Sequence, residues 1–286
     1  MSTVRPAQRG LLFLGCLLAF VRWEPAPYDL FLIIIFLLYA RGLTWKSYQL
    51  VFVVLLGPLL FTHVPALGAA LEVAPERTLY YSLVTLYLAL SSVFFMSLPE
   101  RSVPLLLLGY EVGALLSGLL GVLAFLRIPG LEDLLWGGSR AVAFFKDPNV
   151  FGAFLIPALF LALARLEQGR KFWILPALIL FLGVLVSLSR GAWANFAVAL
   201  LAWWLLRPRK RIWLPLVLLT LAGGVGISVV VMPDNPIVQR LGFMPYDKER
   251  FFTQMEALSL ALTQPLGYGP GLSEIHLSYA THNTYV

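Results

Sequence analysis

Charged side chains are scarce in this sequence. Asp, Glu, Lys and Arg make up 13% of the 286 residues, whereas a soluble domain carries roughly 25%. This is too few charged residues for the polar surface of a soluble globular domain. In addition, 59% of the residues are hydrophobic, and they fall in long apolar runs. The composition therefore excludes an ordinary soluble domain and predicts a protein with several membrane-spanning helices.

Cysteine and histidine are also rare. The single cysteine, Cys16, excludes a disulfide within the chain and a cysteine-rich metal site. The three histidines, His63, His276 and His282, form no HExxH motif and no other spacing typical of metal ligands. We therefore expect no protein-bound metal and no cofactor.

The net charge of +6 is distributed in a way that does not suggest nucleic acid. Basic residues stand singly or in short clusters between apolar runs, a pattern typical of topology signals and of contacts with anionic lipid headgroups. We expect membrane lipids as partners and no nucleic acid.

The apolar runs predict an all-α, polytopic integral membrane fold with about nine transmembrane helices, because about 20 apolar residues cross the hydrocarbon core. The first two runs are short and can also form a shallow hairpin. Residues 1–232 would form the transmembrane helical bundle, and residues 233–286 a long segment outside it. The predicted spans are 10–22, 28–40, 48–62, 79–98, 103–126, 150–166, 172–188, 192–206 and 212–232.

The positive charges predict a cytoplasmic N-terminus. With that orientation, twelve of the 21 Lys and Arg residues fall in short inner turns, including the cluster "RPRKR". Four polar segments then share the outer face, and chemistry is expected there because the inner turns are too short to build a site. These segments are residues 63–78, 127–149, 187–193 and 233–286.

Arg190 is the first candidate for a ligand contact. It lies in "VSLSRGAWANF", where Gly191 would let the backbone reverse and the two neighbouring serines could bond to freed carbonyls. A guanidinium held in so tight a turn suits a phosphate, since its planar fork binds two oxygens and keeps its charge. The alternative is an arginine that extends to lipid headgroups. Arg140, in "GGSRAVAFFKDPNVFG", is a further candidate beside a turn that starts a helix at Asp147.

Arg250 is the second main candidate. It lies in "YDKERFFTQMEALSLALTQP", which predicts a short amphipathic helix near the outer surface, with Asp247 capping its start. A cation in the first turn opposes the helix dipole, which indicates an anion nearby; a solvated interfacial arginine is the alternative. The following "PLGYGPGLSEI" excludes a helix, and its glycines indicate tight turns or a close backbone approach to a ligand.

His282 has a side chain suited to proton transfer at neutral pH, and Asn283 beside it can orient the ring. A structural histidine is the alternative. Glu111 lies inside a predicted span, where an acid is costly and often functional. No second acid or lysine in the spans accompanies it, so we interpret it as a hydrogen-bonded structural acid.

The order of the motifs "FKDPNVFGAF", "LSRGAW", "ERFFTQMEALSLALTQPLGYGPG" and "THNTYV" resembles the O-antigen ligase and polymerase superfamily. The resemblance implies a GT-C-like membrane fold and an inverting, metal-independent glycosyltransferase of the bacterial inner membrane, with residues 233–286 as a periplasmic catalytic loop. The implied donor is a glycan on undecaprenyl pyrophosphate. The implied acceptor is lipid A-core for a ligase or a growing glycan for a polymerase.

The resemblance also implies roles for individual residues. Arg190 and Arg250, with Arg140 as a further candidate, would bind the donor pyrophosphate. We predict that Arg190, Arg250 and His282 lie around one outward-opening cleft. His282 would act on the acceptor hydroxyl, supported by Asn283. Members continue past the His-Asn motif with further spans, whereas this chain ends three residues after Asn283, so we expect either a fragment or a C-terminally truncated, inactive member. A transporter or flippase of lipid-linked sugars and a non-catalytic membrane assembly subunit are the alternatives.

Overall fold

The computed structural model describes residues 6–39, 46–206, 245–264, 267–272, 275 and 277. Within these residues the chain forms nine α-helices and one two-stranded hairpin, which confirms the predicted all-α class. The helices are α1 (Pro6–Leu17), α2 (Pro27–Tyr39), α3 (Ser47–Val73), α4 (Pro75–Ser97), α5 (Val103–Phe125), α6 (Pro148–Glu167), α7 (Ile174–Val186), α8 (Arg190–Leu206) and α9 (Pro245–Thr263). The hairpin strands are β1 (Leu135–Trp136) and β2 (Arg140–Ala141), and single 3-10 turns lie at Glu100–Ser102, Glu132–Leu134 and Lys171–Trp173.

The chain divides into two compact units. The first unit comprises Met1–Ala40 and Glu100–Gly242, and the second comprises Arg41–Pro99 and Phe243–Val286. In the first unit, α5, α6 and α7 pack together, α1 lies against α5 and α8 lies against α6. The predicted boundary at residue 232 falls between residues 207 and 244, outside the described part of the chain, and stays a prediction.

Small residues bring α1 and α5 into close contact. A Cβ atom on Gly109 would lie 1.8 Å from the carbonyl oxygen of Leu12, and one on Gly113 would lie 2.5 Å from that of Cys16. These two glycines are four residues apart on α5, the spacing that lets membrane helices approach backbone to backbone. Gly109 and Gly113 therefore have a structural role, because a larger side chain at either position would push the two helices apart.

The second unit contains a long helical hairpin of α3 and α4. At the end away from the connection, Gln49 of α3 is bonded to α4, since its Nε2 donates to Ser97 Oγ at 2.6 Å. Its other end is closed by Thr78, whose hydroxyl donates to the carbonyl of Ala70 at 3.0 Å.

The predicted outer loop at residues 63–78 is wrong. Helix α3 continues to Val73, and α4 begins at Pro75, so that only Ala74 separates them. The physical reason is the composition of residues 66–71, which are rich in Ala and Leu and favour a helix.

Three of the described helical segments are long and apolar enough to cross a membrane: Pro75–Ser97, Glu100–Phe125 and Pro148–Glu167. Shorter apolar helices lie at Pro27–Tyr39, Val64–Val73 and Lys171–Val186. Leucines along α4 are more than half exposed, as expected where the surrounding solvent is lipid. The chain is therefore an α-helical membrane protein. The predicted ninth span, 212–232, lies outside the described residues, and the full set of nine remains a prediction.

Candidate functional site

The turn between α7 and α8 is short and buried. It consists of Ser187, Leu188 and Ser189, which are 0%, 2% and 1% exposed. The chain reverses at Leu188, whose φ of 49° lies in the left-handed region that side chains other than glycine rarely adopt. The expectation that Gly191 makes the reversal is wrong, because Gly191 is the second residue of α8 and its φ is not positive.

Both serines bond to the backbone of this turn, and the predicted bond to a freed carbonyl is confirmed for Ser187. Ser187 Oγ donates to the carbonyl of Val184 at 2.7 Å, which is one of the carbonyls freed at the end of α7. The same Oγ accepts from the backbone N–H of Ser189 at 3.3 Å. Ser189 Oγ accepts from the N–H of Ala192 at 3.1 Å, the bond by which an N-cap serine closes the first turn of a helix.

Arg190 is the first residue of α8 and is half-buried. The N-terminus of a 17-residue helix carries a partial positive charge and N–H groups that point away from the helix. An arginine at this position adds a full positive charge to the same place. The combination favours an anion, and a phosphate group matches both the helix end and the guanidinium fork.

A small hairpin brings Arg140 to the same turn. Gly137 and Gly138 have positive φ angles of 56° and 68°, which the tight turn between β1 and β2 requires. The strands pair Leu135 with Ala141 and Trp136 with Arg140. This register fixes the backbone of Arg140 at the edge of the hairpin.

The side chain of Arg140 binds two other elements of the first unit. Its Nε donates to the carbonyl of Ser187 at 3.2 Å, and its Nη2 donates to Asn149 Oδ1 at 3.1 Å. Arg140 therefore joins the hairpin to the start of α6 and to the turn that carries Arg190. The structure thus bonds Arg140, in β2, to the turn that precedes Arg190, although the two predicted site residues are 50 positions apart in the sequence.

The start of α6 is built as predicted. Asp147 is the N-cap, and its carboxylate accepts from the N–H of Asn149 at 2.6 Å, with Pro148 in the first helical position. Lys146, the residue before this cap, forms an ion pair with Glu24. It is therefore an exposed structural contact.

The predicted amphipathic helix is confirmed as α9, with two corrections at its start. The helix begins at Pro245, so Asp247 is its third residue, inside the first turn, and not the cap that precedes it. Arg250 is consequently the sixth residue and lies in the second turn, where the opposing helix dipole is weaker. Arg250 is exposed. The apolar residues Phe251, Met255, Leu258 and Leu262 are also exposed, by 50–80%.

The glycine-rich segment after α9 packs closely against α3 and α4. Gly269 has φ 107°, and a Cβ on it would lie 2.5 Å from Ala70 Cβ. Gly271 has φ 77°, and a Cβ on it would lie 2.6 Å from the ring of Tyr81. Of the two roles expected for these glycines, the turn is confirmed, and the close approach is to neighbouring helices.

The predicted catalytic pair His282 and Asn283 lies outside the described residues. The predicted cleft that includes Arg190, Arg250 and His282 therefore stays a prediction. Among the residues that the structure describes, no group of three or more His, Cys, Asp or Glu side chains is arranged to hold a metal ion.

Sequence reasoning missed the partner of Glu111. Arg165 Nη1 lies 2.6 Å from Glu111 Oε2, so the acid that we interpreted as structural forms an ion pair with an arginine. Arg165 comes from the last turn of α6 and looked like an ordinary topology signal. Two residues on separate spans leave no spacing in the sequence by which such a pair can be recognised.

The fold and these contacts define a helical membrane protein in which Arg190 stands at the N-terminus of a helix, directly after a buried turn. Residues 175–286 match the family model described as O-Antigen ligase. This match confirms the resemblance to the O-antigen ligase and polymerase superfamily over that part of the chain. It includes Arg190, Arg250, His282 and Asn283, whereas Arg140 lies before it. Neither a curated protein nor a solved structure matches the chain.

Proposed function

We propose that this protein is a membrane glycosyltransferase that moves a glycan from undecaprenyl pyrophosphate to an acceptor sugar. The acceptor is lipid A-core if the protein is a ligase, or a growing glycan if it is a polymerase of O-antigen or exopolysaccharide. The family match supports the general activity. The observation that carries the proposal is the turn between α7 and α8, where Arg190 stands at a helix N-terminus and Arg140 is bonded close by.

The chemistry of the donor explains why such a turn is useful. When the bond between the anomeric carbon and the phosphate oxygen breaks, that oxygen of the lipid pyrophosphate gains negative charge. Positive groups that are already in place stabilise this charge without reorganising, and they act more strongly in a partly dry site than in water. Arg190 and the end of α8 supply this charge in the first unit, with Arg140 fixing the turn. These permanent cations perform the role that a divalent metal has in other transferases, so we propose a metal-independent reaction.

The remaining roles follow the family resemblance. Arg250 contacts the donor pyrophosphate, and His282 accepts the proton of the acceptor hydroxyl while Asn283 orients the imidazole ring. The acceptor oxygen attacks the anomeric carbon opposite the pyrophosphate. The new C–O bond forms as the old one breaks, and the configuration inverts. A positioned base of this kind contributes typically 10²–10⁴-fold to the rate.

We place the protein in the bacterial inner membrane, with its N-terminus in the cytoplasm and the site facing the periplasm. The distribution of Lys and Arg supports this orientation. Polyprenyl tails are then able to remain in the bilayer while the pyrophosphate reaches the turn at the membrane surface.

The test is a transfer assay with the 286-residue chain in lipid nanodiscs. The donor is an undecaprenyl-pyrophosphate glycan, and lipid A-core and free glycan are offered in separate reactions. Product with the first acceptor identifies a ligase, and product with the second identifies a polymerase. Donor that crosses the membrane of a vesicle without product would support a transporter instead. Donor that neither reacts nor moves would support an assembly subunit.

Variants of Arg190 connect the activity to the turn. We expect Arg190→Gln to lower kcat/KM by at least about 100-fold, the effect of losing one donor to the charge of the transition state. Arg190→Lys should recover only part of this loss, because an ammonium group cannot bind two oxygens in a fork. The matched control is Arg127→Gln, which removes an exposed arginine from the same unit and should leave kcat/KM unchanged.

A further inference from the structure

The β1–β2 hairpin has two faces of different character. Leu135 and Ala141, which pair across the strands, are 9% and 0% exposed and belong to the apolar core of the first unit. Trp136 and Arg140 form the other cross-strand pair, and residues directly opposite each other share one face of a sheet. Trp136 is 53% exposed. The hairpin therefore buries one face and presents an indole ring beside an arginine on the other.

The face that carries Trp136 lies toward the start of α6 and the turn before α8. Arg140, on the same face, donates to Asn149 Oδ1 in a bond that is exposed to solvent, and it donates to the carbonyl of Ser187. Because Oδ1 of Asn149 accepts from the guanidinium, the N–H donors of this amide lie on its other side. An indole, a guanidinium and an amide thus share one solvent-open patch, and the patch borders the turn that leads into Arg190.

This combination of side chains is suited to a sugar. The face of an indole ring carries partial negative charge, which attracts the C–H bonds that cover the apolar face of a pyranose. Amide and guanidinium groups donate hydrogen bonds, and the hydroxyl oxygens of a sugar accept them. The location is also suitable, because the sugar that is bonded to the pyrophosphate must lie next to the group that holds the phosphates, which we take to be Arg190.

We propose that Trp136 determines specificity for the donor, because its indole stacks against the first sugar of the lipid-linked glycan while Asn149 donates to one of its hydroxyls. The ligand is a pyranose with one face formed by C–H bonds. This inference rests on the proposed function of the α7–α8 turn as the pyrophosphate site. It adds the contact that distinguishes a glycosylated donor from the bare lipid pyrophosphate.

A bilayer is the other surface that accepts an exposed tryptophan, because indole rings favour the level of the lipid headgroups. The neighbouring charges favour the sugar. Glu132 and Asp133 lie on the 3-10 turn directly before β1, and both are exposed carboxylates. Anionic headgroups attract basic segments, and carboxylates oppose that attraction. The hydroxyl groups of a glycan, in contrast, donate hydrogen bonds to carboxylates.

The experiment compares two short-chain ligands that differ only by the sugar. Farnesyl pyrophosphate, with and without N-acetylglucosamine, is titrated into the full chain in nanodiscs, and each Kd is measured by isothermal titration calorimetry against empty nanodiscs. This binding measurement requires no glycan transfer.

We expect Trp136→Ala to raise the Kd of the glycosylated ligand about 5- to 30-fold, the effect of truncating a well-placed tryptophan at a binding surface. The Kd of farnesyl pyrophosphate should stay unchanged, because this ligand has no sugar to stack on the indole. Trp136→Phe keeps a smaller ring, so its Kd for the glycosylated ligand should fall between those of the wild type and Trp136→Ala.

The matched control is Phe172→Ala, which removes an aromatic ring that is 70% exposed beyond the opposite end of α6. Both Kd values should remain at the wild-type level in this variant. If Trp136→Ala does not purify as a folded protein, Trp136→Phe decides by the same comparison.

An equal change of both Kd values in Trp136→Ala would overturn the inference and indicate a bilayer anchor. No change in either value would also overturn it, while the binding of both ligands to the wild type would still support the proposed function. If neither ligand binds the wild type, the proposed pyrophosphate site is itself wrong, and the inference fails with it.

Discussion

Gly152 is predicted to control the packing of the α7–α8 turn against α6. A Cβ atom at this position would lie 2.6 Å from Ser187 Oγ and 2.7 Å from Ala192 Cβ, both closer than atoms can remain. Ser187 cannot easily move aside, because its hydroxyl is bonded to the carbonyl of Val184 within a buried turn. Gly152→Ala must therefore push the first turn of α8, with Arg190, away from α6.

The expected cost is that of overpacking a buried contact, about 1–3 kcal/mol. At roughly 2–4 °C per kcal/mol for a large domain, the unfolding midpoint should fall by about 2–12 °C. The assay heats the purified protein in detergent to a series of temperatures and measures by size-exclusion chromatography the fraction that remains folded. Donor transfer should also fall, because Arg190 moves with the helix.

The matched control is Gly118→Ala on α5. Its Cβ would meet its nearest atoms, in Ile179 and Leu180, at 3.7 Å, which is ordinary contact. Alanine also favours a helix over glycine by roughly 0.5–1 kcal/mol. The midpoint should therefore stay constant or rise. An equal decrease of the unfolding midpoint in the two variants would refute the packing argument, because it would show that any added methyl group destabilises these helices.

Three further predictions concern the other candidate residues. His282→Ala should abolish glycan transfer and leave membrane insertion intact, as measured by the transfer assay and by membrane fractionation; undiminished transfer would remove the proposed base. Gly271→Ala should lower the unfolding midpoint, because its φ of 77° and the ring of Tyr81 at 2.6 Å both oppose a side chain; an unchanged midpoint would argue against this packing. Reporter fusions after residue 190 and within the tail after residue 272 should both report the periplasm, and opposite compartments would contradict a shared site.

Local features of the fold were predictable from the sequence. The cap at Asp147, the helix before Pro265 and the serine bonds around Ser187 depend on residues only a few positions apart, and the sequence shows such neighbours directly. The boundaries were less certain. The predicted loop at 63–78 belongs to helices α3 and α4, because Ala and Leu continue α3 past the point where the hydropathy falls.

The residues of the candidate site were likewise predictable only in part. The sequence identified Arg190 and Arg140 as candidate donor-binding cations in two different outer segments. The structure adds that Arg140 is bonded to the carbonyl of Ser187, which makes it a residue that positions the turn. That bond depends on the register of the β1–β2 hairpin, and no local pattern encodes which carbonyl the guanidinium will reach.

Composition and hydropathy determined that this is a helical membrane protein, because the bilayer imposes apolar runs on any chain that crosses it. The order of short motifs indicated a resemblance to the superfamily whose family model matches residues 175–286. Only the tertiary structure decided that Glu111 is paired with Arg165 and covered by Trp173, and that the reversal before Arg190 occurs at Leu188 and not at Gly191. Pairing across helices depends on their rotation and depth, which are set by packing over the whole bundle rather than by neighbours in sequence.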